Sequence, residues 1–175
     1  MKTLCQLFCL GIINLSAGVA AAQMPAYTAP AQPPPAIAAA KTIFVSNAGA
    51  DSGLFPAPFS GDQDRAYTEF SQALKANGSF TLVNDPEQAD LVLELRLNAP
   101  YGPTNPSKQN GASDPLPMFR LTIYDRKSHY VLWTITQSVE LAFLHKTHDR
   151  NFDDALAAVL NDFLQVAGKA PAPAH

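Results

Sequence analysis

The run Asp90 to Asn98 reads DLVLELRLN, and its alternation constrains the fold more than any other stretch. Leu91, Leu93, Leu95 and Leu97 fall on one side of an extended chain, and Val92, Glu94, Arg96 and Asn98 on the other. A strand has a side-chain period of two, so such a segment must belong to a sheet with one covered face and one wet face. Helices that cover only one side are the simplest partner for it.

The neighbouring segments supply that architecture. Lys41 to Asn47 (KTIFVSN) reads as a strand rich in β-branched and aromatic residues. Ala48 to Gly61 reads as a loop. A helix follows from near Asp64, with Asp62 or Asp64 as cap and Ala66, Phe70, Ala73 and Leu74 at helical spacing. Asn77-Gly78 should stop it, because glycine best tolerates the left-handed position past a helix end. Asn77-Gly78-Ser79 also matches a glycosylation sequon, but the helix-stop reading is preferred. Ser79 to Asn84 reads as a short strand and Asp85 to Gln88 as a turn.

Met118 to Asp125 (MFRLTIYD) has Phe119, Leu121 and Ile123 on its core side. Tyr130 to Leu144 reads as a long strand, with Val131, Trp133, Ile135, Val139 and Leu141 sharing one face. A closing helix is expected from Asn151, its cap, to Ala167, with an apolar stripe through Phe152, Leu156, Val159, Leu160, Phe163 and Leu164. The expected fold is therefore α+β, in the order β-α-β-β-β-β-α. A largely antiparallel sheet carries two helices on one face.

The ends of the chain read differently. Lys2, the apolar run Leu4 to Ala17 and Ala20-Ala21-Ala22 have the layout of a secretory signal peptide, with cleavage expected near Ala22. The apolar run falls short of the roughly 20 residues a membrane span needs. Residues 23–40 read as a disordered linker rich in Pro and Ala, 41–168 as one domain, 99–117 within it as a mobile loop, and 169–175 as a disordered tail. The expected product is an exported protein, periplasmic or extracellular, with no transmembrane span.

Cys5 and Cys9 both lie in the signal, so an exported product would have no disulfide and no thiolate. The formal charge is −3, and loss of Lys2 makes it one unit more negative. Without a basic stripe, nucleic acid is not expected as a partner.

The stretch AYTEFSQALKANGSFTLVNDPEQADLVLEL, followed by a hairpin containing LTIYDRKSHYVLWTIT and a closing helix, resembles small bacterial envelope domains of the CsgG-like and TolB amino-terminal-like kind. The resemblance covers Lys41 to Gly168. It implies a non-catalytic module that associates with other envelope components. The chain departs from many such domains in its cysteines. Leu4 precedes Cys5 and Phe8 precedes Cys9, where lipidation needs a small residue.

Several groups of residues are candidates for chemistry. His145-x-x-His148-Asp149 has metal-ligand types at helical spacing, with His129 or Asp153 as further donors, and defines the alternative reading of a metal-dependent hydrolase. Ser52, within Gly49 to Gly53, lacks the spacing of a nucleophile elbow. Asp51, Asp62 and Asp64 offer oxygens for calcium without EF-hand spacing. Asp125, Glu94 and Glu140 are carboxylates, but a flat sheet face would give them no cleft. No cofactor is expected. The favoured surface is the open sheet face, with Arg96, Arg120 and Tyr124 as partner-binding residues beside Glu94, Thr122, Thr134 and Thr136. Its exposed edges can also accept an added strand.

Overall fold

A computed structural model of the 175-residue chain describes residues 31–104, 107, 113–142 and 144–169. The chain divides into two units, 1–31 and 32–175, and the second is described here. The expected signal peptide and cleavage site, and the tail beyond Lys169, lie outside the described residues.

The elements are α1 (Pro35–Ala39), β1 (Thr42–Ala50), α2 (Arg65–Asn77), β2 (Thr81–Leu82), a 3-10 turn (Pro86–Gln88), β3 (Leu91–Asn98), β4 (Tyr101–Thr104), β5 (Ser113–Pro115), β6 (Met118–Asp125), β7 (Val131–Ser138) and α3 (His145–Val166). Five strands form one sheet in the order β2-β1-β3-β6-β7. β3, β6 and β7 are antiparallel neighbours, whereas β1 runs parallel to both β2 and β3. The α+β architecture expected from the pattern is present, with a mostly antiparallel sheet.

The period-two strands pack as their sequence requires. All four leucines of β3 are buried, as are Ile43 and Val45 of β1 and Phe119, Leu121 and Ile123 of β6. Ala66, Phe70 and Leu74 of α2 and Phe152, Leu156, Val159, Phe163 and Leu164 of α3 close over them. Removing this apolar surface from water, at about 25 cal/mol per Å², is the main stabilising term. Gly78 ends α2 with φ 72° and ψ 4°, the left-handed conformation that glycine adopts without strain. Asp64 does not cap the helix. The Asp62 carboxylate accepts the Asp64 amide instead, and Asp64 accepts from the Asn47 side chain.

Five elements differ from the reading of the sequence. Pro35–Ala39, within the stretch read as linker, is a short helix whose Ile37 is fully buried. The core therefore takes in residues that a Pro/Ala-rich composition argues against. Within 99–117, read as loop, β4 and β5 pair as a small separate sheet.

β7 ends at Ser138, shorter than expected, and carries a bulge at its start. Ile123 pairs with Trp133 but Tyr124 pairs with Val131, so Leu132 is the extra residue. The bulge turns Val131 onto the open face, where it is half exposed, and brings Leu132 against the core. Leu141, expected on the core side, lies beyond the strand and is exposed.

Finally, α3 begins at His145, six residues before the Asn151 that reads as its cap. Asn151 donates from its side chain to the Glu140 carbonyl. Contacts with the loop between β1 and α2 hold the added turns: Phe59 lies 5.3 Å from the Phe152 ring and 6.3 Å from the His148 ring.

Candidate functional site

Two places gather chemistry-bearing side chains, and they differ in kind. The first joins α3 to the β1–α2 loop. Arg65 is 14 % exposed and forks to three carboxylates: Asp149 at 2.7 Å, Asp153 at 2.6 Å and Glu69 at 2.9 Å. Its guanidinium carbon also lies 4.3 Å from the centre of the Phe152 ring. Asp149 accepts from the Ser60 amide at 2.9 Å and from its hydroxyl at 2.7 Å. Burial works to raise the Asp149 pKa. The Ser60 bonds and the Arg65 guanidinium outweigh it and hold the carboxyl well below the usual range. Burial likewise opposes the charge on Arg65, and its carboxylate partners outweigh that, so its pKa is raised.

This cluster contains the expected ligand set His145, His148 and Asp149, and the arrangement does not fit a metal. Both ring nitrogens of His148 face backbone carbonyls, of Pro58 and Ala142, so neither turns a lone pair toward open space. Asp149 is occupied by Arg65 and Ser60. No group of three or more metal-ligating side chains converges among the described residues.

Ser60, His145 and Asp149 do meet, but not as a nucleophilic triad. The Ser60 hydroxyl donates to Asp149. The same His145 nitrogen, Nδ1, lies near both Ser60, at 3.4 Å, and Asp149, at 3.3 Å. A triad needs the imidazole between the other two, one nitrogen to each. The cluster therefore binds helix to loop.

The other early candidates are dispersed. Ser52 lines a cavity of about 550 Å³ with Asp51, Leu54 and Tyr101, and no histidine among the described residues lines that cavity. Asp51 is bound to Arg96 and to the Ala99 amide. Asp62 and Asp64 are engaged as described above, and among the described residues these carboxylates do not converge as a calcium site. Asp125 accepts from the Ser128 amide and hydroxyl at the turn after β6.

The second place is the open face of the sheet. Its register sets Arg96 opposite Arg120 and Arg120 opposite Thr136; Glu94 opposite Thr122 and Thr122 opposite Thr134; and Val92 opposite Tyr124. The face is not flat. A recess of about 260 Å³ is bordered by Glu94, Arg96, Asn98, Arg120, Tyr124 and Val131. Thr122, within it, is only 6 % exposed. Among the described residues Glu94 is the one carboxylate lining the recess, so no pair of described carboxylates faces across it as acid and base.

Like charges directly across a ladder repel. The Asp51 carboxylate, 2.9 Å from Arg96, offsets that charge. Arg120 has no ion-pair partner among the described residues. Asn98 Oδ1 is buried in the same recess without a hydrogen-bond donor. Alternation located Arg96, Arg120 and Tyr124 on this face. Asn98 was likewise assigned to this side by alternation; Val131 and the Asp51 brace were not read as part of it, and Val131 reaches it only through the bulge.

The chain matches no protein-family model and no curated protein. Solved structures resemble it at low identity. The PelC dodecamer from Paraburkholderia phytofirmans is 14 % identical with a TM-score of 0.47, over 81 % of this chain and 95 % of that one. A DUF4136-family protein from Bacteroides thetaiotaomicron is 14 % identical with a TM-score of 0.47, over 77 % and 91 %. Lipoprotein GNA1162 from Neisseria meningitidis is 14 % identical with a TM-score of 0.37, over 71 % and 99 %. All three are bacterial proteins; kinship to the CsgG-like group is not among what they show. Likeness at this level carries no argument about activity. No helix among the described residues is long and apolar enough to cross a membrane.

Proposed function

We propose that the chain is an exported, non-catalytic domain of the bacterial envelope that acts by binding another protein through its open sheet face. The observation that carries this reading is the one-sided cover of the sheet. Both long helices pack on the leucine side, and the opposite side keeps a polar recess where Arg120, with no ion-pair partner among the described residues, lies opposite Arg96. Arg96 and Arg120 supply planar donors for acidic or carbonyl groups of a partner, and Tyr124 adds an amphipathic ring beside them. Export rests on Lys2, the apolar run and Ala20 to Ala22.

Cross-linking in the native host, with the captured protein identified, tests the reading. A specific partner captured by the natural chain should be lost in an Arg96→Glu, Arg120→Glu variant that keeps its circular-dichroism spectrum. Capture unchanged in that variant excludes the face. The amino-terminal sequence of the exported product tests cleavage near Ala22.

A further inference from the structure

The recess on the open face is a pit around one short side chain. Thr122 lies opposite Glu94 on β3 and opposite Thr134 on β7. Arg120 and Tyr124 stand two residues to either side of it on β6, and Arg96 lies opposite Arg120. A strand turns every second residue to the same face, so these longer groups rise around Thr122 and wall a space of about 260 Å³. Sites that enclose a whole small ligand hold about 300–1,000 Å³, so this space suits one inserted side chain.

The groups around the pit do not satisfy one another. Thr122 is nearly buried, yet its hydroxyl makes no hydrogen bond among the described residues. Buried polar groups ordinarily have a partner. Arg96 has Asp51 as counter-ion, but neither Arg120 nor Glu94 forms an ion pair among the described residues, and the Tyr124 hydroxyl reaches Glu94 only at 3.5 Å. These charges say which side chain fits. Arg96 and Arg120 present planar donors of the geometry that suits a carboxylate, and the Thr122 hydroxyl can add a third. A dianion such as phosphate fits less well, because the Glu94 charge borders the same space. Val131 and the Tyr124 ring give the methylenes of a long acidic side chain an apolar wall. Glu94 lies two residues from Arg96 on β3, about 6.6 Å along the strand. Alternate side chains of an extended peptide have that same spacing, so a base two places from the inserted acid would stand over Glu94.

We infer that the recess takes the carboxylate side chain of an extended segment of the protein partner, with Arg96, Arg120 and Thr122 as its donors and Glu94 receiving a base two residues away. The inference rests on the open-face reading and adds to it the chemistry of the partner.

Chemical-shift titration of the full chain with three capped heptapeptides, TTETKTT, TTQTKTT and TTETQTT, tests it. TTETKTT should move the amides of Arg120 and Thr122. It should bind about tenfold or more tightly than TTQTKTT, which loses the hydrogen bonds to a charged group. Its advantage over TTETQTT should be smaller, about 1.5- to 5-fold, the range of an exposed ion pair. Arg120→Gln should remove most of the preference for the acid, and Thr122→Val, of nearly the same shape, should reduce it. Glu94→Gln should remove only the preference for lysine. Inorganic phosphate should bind more weakly than TTETKTT. No shift at the recess with millimolar peptide, equal binding of TTETKTT and TTQTKTT, preferences that survive the variants, or tighter binding of phosphate would each overturn the inference. Where one of these occurs while capture in the host still needs Arg96 and Arg120, the open-face reading stands alone; capture indifferent to the arginines removes both.

Discussion

Arg65 and Asp149 lie 84 positions apart in the chain and 2.7 Å apart in the fold, and their contact ties the first turns of α3 to the start of α2. Arg65 also holds Asp153 one turn further along α3 and Glu69 one turn along its own helix. Removing the arginine leaves Asp149, mostly shielded from water, without its counter-ion. Replacement by Met, which keeps the aliphatic packing against Phe152, should lower stability by about 2–4 kcal/mol. Arg65→Lys should recover part of that, since a point charge cannot fork to three carboxylates. Urea unfolding of the three proteins measures the difference.

The same contact predicts an acid limb. The pKa of Asp149 is lower in the folded state than its unfolded value, about 3.9 for aspartate. A group with a depressed folded pKa adds stability that is fully present above the unfolded value and is lost as pH falls toward the folded one. Asp51 and Asp90, both also lowered by hydrogen bonds from backbone amides, act in the same direction. Stability should therefore be level near neutrality and decline below about pH 4. In Asp149→Asn the decline should be shallower and the plateau lower. Denaturation midpoints at a series of pH values decide it, and an unchanged slope in the variant would count against the assignment.

Ile37 makes a separate test of where the domain begins. It lies in a run of proline and alanine, yet it is fully buried in the core. Ile37→Ala should cost about 2–4 kcal/mol, the range for emptying a packed aliphatic site. A change near zero would show that α1 adds nothing to the folded unit.

Arg120→Glu separates structure from function on the open face. It exchanges an unfavourable arginine pair for an ion pair with Arg96 across the ladder, and should leave stability unchanged or raise it by about 0.2–1 kcal/mol. Partner capture should nevertheless fall. If thermal stability and capture drop together, the arginine is serving the fold.

Much of the architecture was legible because it follows from short-range rules. The alternation in Leu91 to Asn98 and in Met118 to Asp125 assigned faces that burial follows at every position but Thr122, which lies on the open face yet is buried in its recess. Gly78 marked the helix stop through its own backbone freedom. The bulge in β7 left no such mark. Its alternation runs unbroken through Val131, Trp133 and Ile135, and only the pairing partner Tyr124 moves Val131 to the other face. The early start of α3 was hidden as well, because His145 to Arg150 is polar and Leu144 makes no side-chain cap.

What the sequence determined by itself is therefore periodic: which side of β3 and of β6 is apolar, and where a glycine must end a helix. What the tertiary structure alone decided depends on residues distant in the chain. The burial of Ile37, the coupling of His145 and Asp149 to the Ser60 loop, and the meeting of Arg96 with Asp51 are of this kind. Period and propensity act over a few residues. An ion pair or a core contact forms only once the fold has brought its members together, and no local pattern records that.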